Sequence, residues 1–258
     1  MCEAQVPEGV VRKMIALVGD TAAVSHSRDI AGTRAFLLNG LRGLIDADAW
    51  AWALSRMRPD GEGVVSSLLG QQEGLSARSL ARISEAVENP EIAAMNRRFS
   101  KQILEGQSSV TLHRDQLDPD GVMDPKGELR KLVTATGVDA VIHSGHPLDD
   151  ECYSHIIIYR RSGRAQFTDL QSKVAHIVLS EVKWLHAQGW PEDRGVQLPK
   201  LSPRERNVMH LLQEGKSRKE IADILEISVG TVAGYTKGVY KHFSVKSHAE
   251  LIRKFSGR

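Results

Sequence analysis

Leu201-Ser202-Pro203-Arg204-Glu205, Ser217-Arg218-Lys219-Glu220 and Ser247-His248-Ala249-Glu250 share one punctuation, a Ser followed three residues later by a Glu. At that spacing the hydroxyl and the carboxylate satisfy amides that a helix leaves unpaired at its start. Pro203 stands at a first helical position, which does not need its N–H, and Gly215 stands where that helix should stop. Ser228, with Thr231 three residues on, is a fourth start. The pattern predicts four short helices, over 203–213, 218–225, 229–243 and 247–256. Their apolar faces are Val208/Leu211/Leu212, Ile221/Ala222/Leu225, Val232/Val239/Phe243 and Leu251/Ile252/Phe255. Glu226-Ile227-Ser228 separates the second from the third, the short connection of a helix-turn-helix. The third helix then presents Thr231, Tyr235, Lys237 and Lys241, groups suited to phosphates and base edges.

Outward from these helices the chain changes character. The stretch 189–199, Gly-Trp-Pro-Glu-Asp-Arg-Gly-Val-Gln-Leu-Pro, is rich in Gly, Pro and charge and has no apolar period. It marks a linker between a unit over 1–188 and a unit over 200–258. From 201 to 258, Lys and Arg outnumber Asp and Glu eleven to six, whereas the rest of the chain carries 23 basic and 26 acidic groups. The net charge of +2 thus hides a small basic piece on a mildly acidic one, as an anion-binding module under separate control would show. A composition of 41% hydrophobic and 26% charged residues excludes a fibrous or disordered chain. No apolar run of about 18 residues occurs, so no membrane-spanning helix is expected. The acidic start, with Glu3 and Glu8, is no secretory signal. Two cysteines, Cys2 and Cys152, build no disulfide framework and fit a reducing cytoplasm.

Before the linker, helical and strand patterns mix. Val11, Met14, Ile15 and Val18, then Ile30, Leu37, Leu41 and Leu44, follow helical spacing. Trp50-Ala51-Trp52-Ala53-Leu54 alternates as a strand with both Trp on one face. A long helix is expected over 80–104, strands over 138–144 and 155–160, and a further helix carrying Leu170, Val174, Ile177, Val178, Val182 and Leu185. Strands flanked by helices imply an α+β, sensor-like domain.

The C-terminal residues resemble a known family. Leu201-Ser202-Pro203-Arg204-Glu205, Lys219-Glu220-Ile221-Ala222, Ile227-Ser228, Thr231-Val232 and Phe243-x-Val245 look like the DNA-binding domain of LuxR/NarL-type bacterial regulators, over about 58 of the 258 residues. The resemblance implies a four-helix domain that dimerises through its last helix and places the third in the major groove. By position it makes Ala233, Gly234 and Lys237 base-facing and sets Lys219, Ser228, Thr231, Tyr235 and Lys241 near phosphates. It also implies double-stranded DNA and a second copy of the chain as partners, with RNA polymerase and an unknown small molecule as further candidates, and no cofactor. The chain departs from the family at Ala233 and Tyr235, where Lys and His are usual, and at Asn207, where Glu is common. Gly234 and Gly238 each weaken the third helix by roughly 1 kcal/mol relative to Ala. The N-terminal unit lacks the Trp/Tyr/Asp pattern of acyl-homoserine-lactone sensors and the acidic set of phosphoreceivers. Its run 154–160, with Phe167 opening a helix, is similar to the end of GAF- and PAS-like sensor domains.

Other chemistry is sparse. No G-x-S-x-G, H-E-x-x-H or strand-borne G-x-G-x-x-G occurs, so no enzyme is expected. Gly215-Lys216-Ser217 resembles the end of a phosphate-binding loop, but His210 stands where that loop needs Gly. His143, His146, Cys152 and His155 are metal-ligand types in close sequence. They are either solvated and structural residues around the turn 147–150, or a metal or redox sensor. Trp50 and Trp52 either pack a core or wall a ligand cavity. The functional reading is a dimeric transcription regulator with an N-terminal sensor; the alternative is an adaptor whose four helices no longer bind DNA.

Overall fold

The computed structural model describes residues 5–57, 64–66, 70–119, 121, 128–188 and 201–256. The elements run α1 (Glu8–Val24), α2 (Ile30–Leu44), β1 (Ala49–Met57), β2 (Val64–Ser66), β3 (Gln71–Glu73), α3 (Ala77–Ala86), α4 (Pro90–Gly106), β4 (Val110–His113), α5 (Arg114–Leu117), α6 (Glu128–Thr134), β5 (Val138–Pro147), β6 (Cys152–Arg161), α7 (Asp169–Ser180) and α8 (Lys183–Ala187). The helices α9 (Pro203–Gln213), α10 (Arg218–Leu225), α11 (Val229–Phe243) and α12 (His248–Ser256) complete the chain. The expected linker over 189–199 lies outside the described residues. No helix among the described residues is long and apolar enough to cross a membrane.

The strands form one antiparallel sheet in the order β2-β1-β6-β5-β4, with β3 pairing the other end of the β1 edge. Trp52 lies opposite Ile156 and His143 opposite Ile157. Alternation then sorts the side chains. Trp50, Trp52, Ile142, Ile156 and Ile158 join one buried cluster with Leu37, Leu41, Val174 and Val178 from α2 and α7. The other face carries His143, Tyr153, His155 and Tyr159 toward α3, α4 and α6. There Gly145 permits close approach, since a Cβ on it would come within 2.1 Å of Ile103 in α4.

Two expected helices are each divided. The 80–104 pattern breaks at Asn89, whose side chain accepts from the Glu91 and Ile92 amides while Pro90 opens α4. Proline starts a helix readily and cannot continue one. The helix before the linker likewise ends at Ser180 and restarts at Lys183. On α1 the inward face is Met14, Leu17 and Thr21; Ile15, assigned to that face by spacing, is 67% exposed.

The four C-terminal helices keep the expected bounds, with the last starting one residue later, at His248. Capping boxes form at Ser202/Glu205 and Ser217/Glu220. At the fourth helix Ser247 Oγ accepts from Glu250 N, but the Glu250 carboxylate reaches Lys246 N. Gly215 has φ 76°, the left-handed stop that follows α9. Helix α3 packs on α9 and α10, and Ala81 shares their apolar cluster.

Candidate nucleic-acid interface and cavity

Helix α11 is set by its inner face. Val232, Thr236 and Val239 are buried, and Thr236 bonds back to Val232 O at 2.8 Å. At about 100° per residue the opposite side presents Gly230, Gly234, Lys237 and Lys241. Gly230, Thr231, Gly234, Lys237 and Lys241 are exposed, and Ala233 is half-buried. Ser228 caps the helix by accepting from Thr231 N at 3.0 Å, and the two hydroxyls lie 2.8 Å apart. A helix N-terminus edged with hydroxyls favours an anionic oxygen. Lys219 is exposed in the first turn of α10. Tyr235 is half-buried, its ring packed on the edge of the domain's core. The arrangement is a basic ridge with a side-chain-poor middle, able to approach a nucleic-acid groove closely.

A second feature lies on the α3/α4 side of the sheet. A cavity of about 110 Å³ is walled by Ile83, Ala86 and Val87 on one side, Ile92 and Met95 on another, and Val141, His143, Ile157 and Tyr159 of the sheet. Arg114 and Asp139 form its polar corner, an ion pair at 3.6 Å with both side chains largely buried. Asp139 occupies a register shift between Val138 and Ala140, where a bulge re-aims a side chain. Arg114 also donates to the Asp139 carbonyl. From His143 a polar chain runs inward: its Nδ1 lies 3.2 Å from His155 Nε2, and His155 Nδ1 lies 3.2 Å from Ser55 Oγ. Burial, aided by the nearby Arg114 charge, lowers His143 to about 4, and burial holds His155 well below its ordinary value. Both rings are neutral at physiological pH. The cavity offers an apolar volume with one polar end.

Residues 199–255 match the family described as bacterial regulatory proteins, luxR family. This stretch is a luxR-family domain. Over 60 residues the chain is 37% identical to YhjB of Escherichia coli strain K12, named as an HTH-type transcriptional regulator, covering 23% of this chain and 30% of that one. Over 72 residues it is 35% identical to the transcriptional regulatory protein DesR of Bacillus subtilis strain 168, covering 28% and 36%. The matches therefore span about a third of the length of these relatives. Escherichia coli SdiA aligns with 94% of this chain and 96% of its own, at 17% identity and a TM-score of 0.38, too loose to establish a shared fold.

All eight residues proposed for DNA contact fall within the luxR-family domain, on α10, on α11 and at the cap between them. The residues proposed outside it are placed differently. Trp50 and Trp52 are fully buried on the sheet face opposite the cavity and do not wall it. Their indoles donate to Asn39 Oδ1 at 3.0 Å and Ser154 Oγ at 2.7 Å. The His/Cys set is split by strand alternation. His143 and His155 lie within their strands, not at strand ends, and face α4. His146 stacks on His186 on the other side, 4.7 Å between centroids. Among the described residues no three His, Cys, Asp or Glu side chains gather as metal ligands. The cavity residues Arg114 and Asp139 escaped the sequence reading because they lie on different elements with no motif spacing.

Proposed function

We propose that the protein is a DNA-binding transcription regulator whose α11 enters the major groove. The observation that carries this is the exposed ridge of Thr231, Gly234, Lys237 and Lys241, in a luxR-family domain and opposite a well-packed inner stripe. Lys219, Ser228, Thr231, Tyr235 and Lys241 would hold backbone phosphates, and Ala233, Gly234 and Lys237 would face bases. Glycine at 234 shifts readout toward groove shape and toward close contact with base methyl groups. The test is genome-wide DNA capture with the full-length chain, followed by affinity measurements on recovered sites across a salt series. Recovery of a defined site with a steep salt slope is expected. Absence of enrichment over bulk DNA would instead support the adaptor reading.

The unit over 1–188 is read as the sensor, joined through 189–199. A sheet with its first and last long strands, β1 and β6, paired at the centre supports a GAF- or PAS-like domain. The cavity of about 110 Å³ favours a small, largely apolar signal molecule. A cytoplasmic homodimer that meets RNA polymerase at its sites is the working assembly.

A further inference from the structure

The sheet wall of the cavity carries two polar side chains, Tyr159 and His143. His143 lies opposite Ile157, and Tyr159 stands two residues further along β6 on the same face. Such diagonal neighbours are about 7–8 Å apart, close enough for both side chains to reach one small group. Tyr159 is 6% exposed, and among the described residues its hydroxyl has no hydrogen-bond partner. The nearby Tyr153 hydroxyl, in contrast, is bonded to Ser100 Oγ at 2.8 Å. Buried hydroxyls are nearly always paired, so the one on Tyr159 marks a place for an occupant.

Hydrogen bonds behind His143 fix where its proton sits. A hydroxyl and a neutral imidazole each have one proton to donate. Ser100 donates its own to Asn96 O at 2.8 Å, so Tyr153 donates to Ser100. Ser55, also bonded to the Tyr153 hydroxyl, must then donate to it. Ser55 Oγ is left to accept from His155 Nδ1 at 3.2 Å, and His155 Nε2 to accept from His143 Nδ1 at 3.2 Å. Burial keeps both rings neutral. His143 Nε2 therefore bears a lone pair and no proton, and among the described residues nothing donates to it.

A group that accepts from Tyr159 and donates to His143 must hold both a lone pair and a proton. A hydroxyl has both, whereas a carboxylate has no proton and an ammonium no lone pair. Charge also disfavours an anion, because Arg114 is paired with Asp139 and a second carboxylate, Asp118, lines the wall. The volume of about 110 Å³ is below the roughly 150 Å³ that holds benzene in a closed apolar cavity. This cavity opens to solvent on one side, so a single ring can enter without moving a wall. We propose that it takes an uncharged, ring-sized molecule of the phenol or cyclic-alcohol class, whose hydroxyl donates to His143 Nε2 and accepts from Tyr159. The assignment rests on the reading of the cavity as a ligand site.

Calorimetric titration of the full chain tests this with toluene, 4-methylphenol, 4-methylbenzoate and 4-methylbenzylamine, which share one apolar body. 4-Methylphenol should bind more tightly than the other three. Tyr159→Phe, which removes one oxygen, and His143→Phe, which removes the acceptor, should each weaken it about fivefold, the scale of one uncharged hydrogen bond. Toluene should stay within twofold in both variants, which also shows that they fold. Without ligand, Tyr159→Phe should leave the denaturant midpoint unchanged or higher, since no bond is lost, whereas Tyr153→Phe should lower it. A lower midpoint for Tyr159→Phe, or tighter binding of either charged probe, would overturn the hydroxyl assignment. Toluene binding with no gain from the hydroxyl, or equal losses of toluene and 4-methylphenol in Tyr159→Phe, would overturn it too and leave the ligand reading standing. No binding of any of the four would overturn the ligand reading, and the assignment with it.

Discussion

Lys237 and Lys241 lie one turn apart on the exposed side of α11, yet they should act through different physics. Lys241, toward the helix end, is placed for phosphate. Lys241→Ala should lower affinity evenly across sequences and reduce the salt slope by about 1. Lys237 is placed for a base edge, so Lys237→Ala should cost about 1–3 kcal/mol and relax specificity at one position. Titrations on matched and mismatched sites check both, and wild-type binding by both variants at low salt would refute this docking. The buried histidines supply a second prediction at this scale. Burial lowers His143 to about 4 and His186 to about 3, with the neighbouring His146 adding to the effect on His186. Unfolding returns each to its ordinary value of about 6.5, so below that pH the unfolded chain binds protons the folded one refuses. Their contribution is whole above about pH 6.5 and is lost as pH falls toward the folded values. The loss is about 1.4 kcal/mol per pH unit for each ring. Denaturant midpoints at pH 7 and pH 5 should show the drop, and His186→Gln should flatten it by one ring's share.

At the scale of elements, α11 carries glycines with opposite surroundings. A Cβ on Gly234 would meet open space, whereas one on Gly238 would approach Glu205 Oε1 to 2.2 Å. Gly234→Ala should therefore stabilise α11 by about 1 kcal/mol. Gly238→Ala should forfeit that gain, because it pushes on the carboxylate that completes the cap of α9. Exchange rates along 229–243 distinguish the two, and equal protection in both variants would contradict the packing. Helix limits in this domain were legible because caps act over three residues: Ser202 to Glu205, Ser217 to Glu220, Ser228 to Thr231. The division of 80–104 was legible in principle too, since Asn89-Pro90 is itself a start signal. Apolar spacing alone ran through it.

At the scale of the whole molecule, Leu170, Ile177 and Trp184 fall on two helices, and Ile177 and Trp184 pack against the chain's own sheet cluster. All three side chains are half-buried, so the chain's own core takes only part of their surface, and α12 is the dimer surface the family resemblance implies. A contact made by one short helix is weak in isolation. Residues 198–258 alone should be monomeric at micromolar concentration, while the full chain should be a dimer. Sedimentation of both decides it; a full-length monomer, free and on DNA, would defeat the dimer. By itself the sequence determined the four C-terminal helices, their caps, the basic ridge and the main strands. Each of these depends on bonds or periods spanning a few residues, which spacing records directly. Only the tertiary structure decided which face of the sheet holds the cavity, that Trp50 and Trp52 turn away from it, and that the histidines divide between two faces. It alone brought Arg114 to Asp139 across 25 positions and Arg82 to Glu226 across 144. Such contacts form when packed layers close long loops, and the spacing of residues along a chain carries no trace of which loops will close.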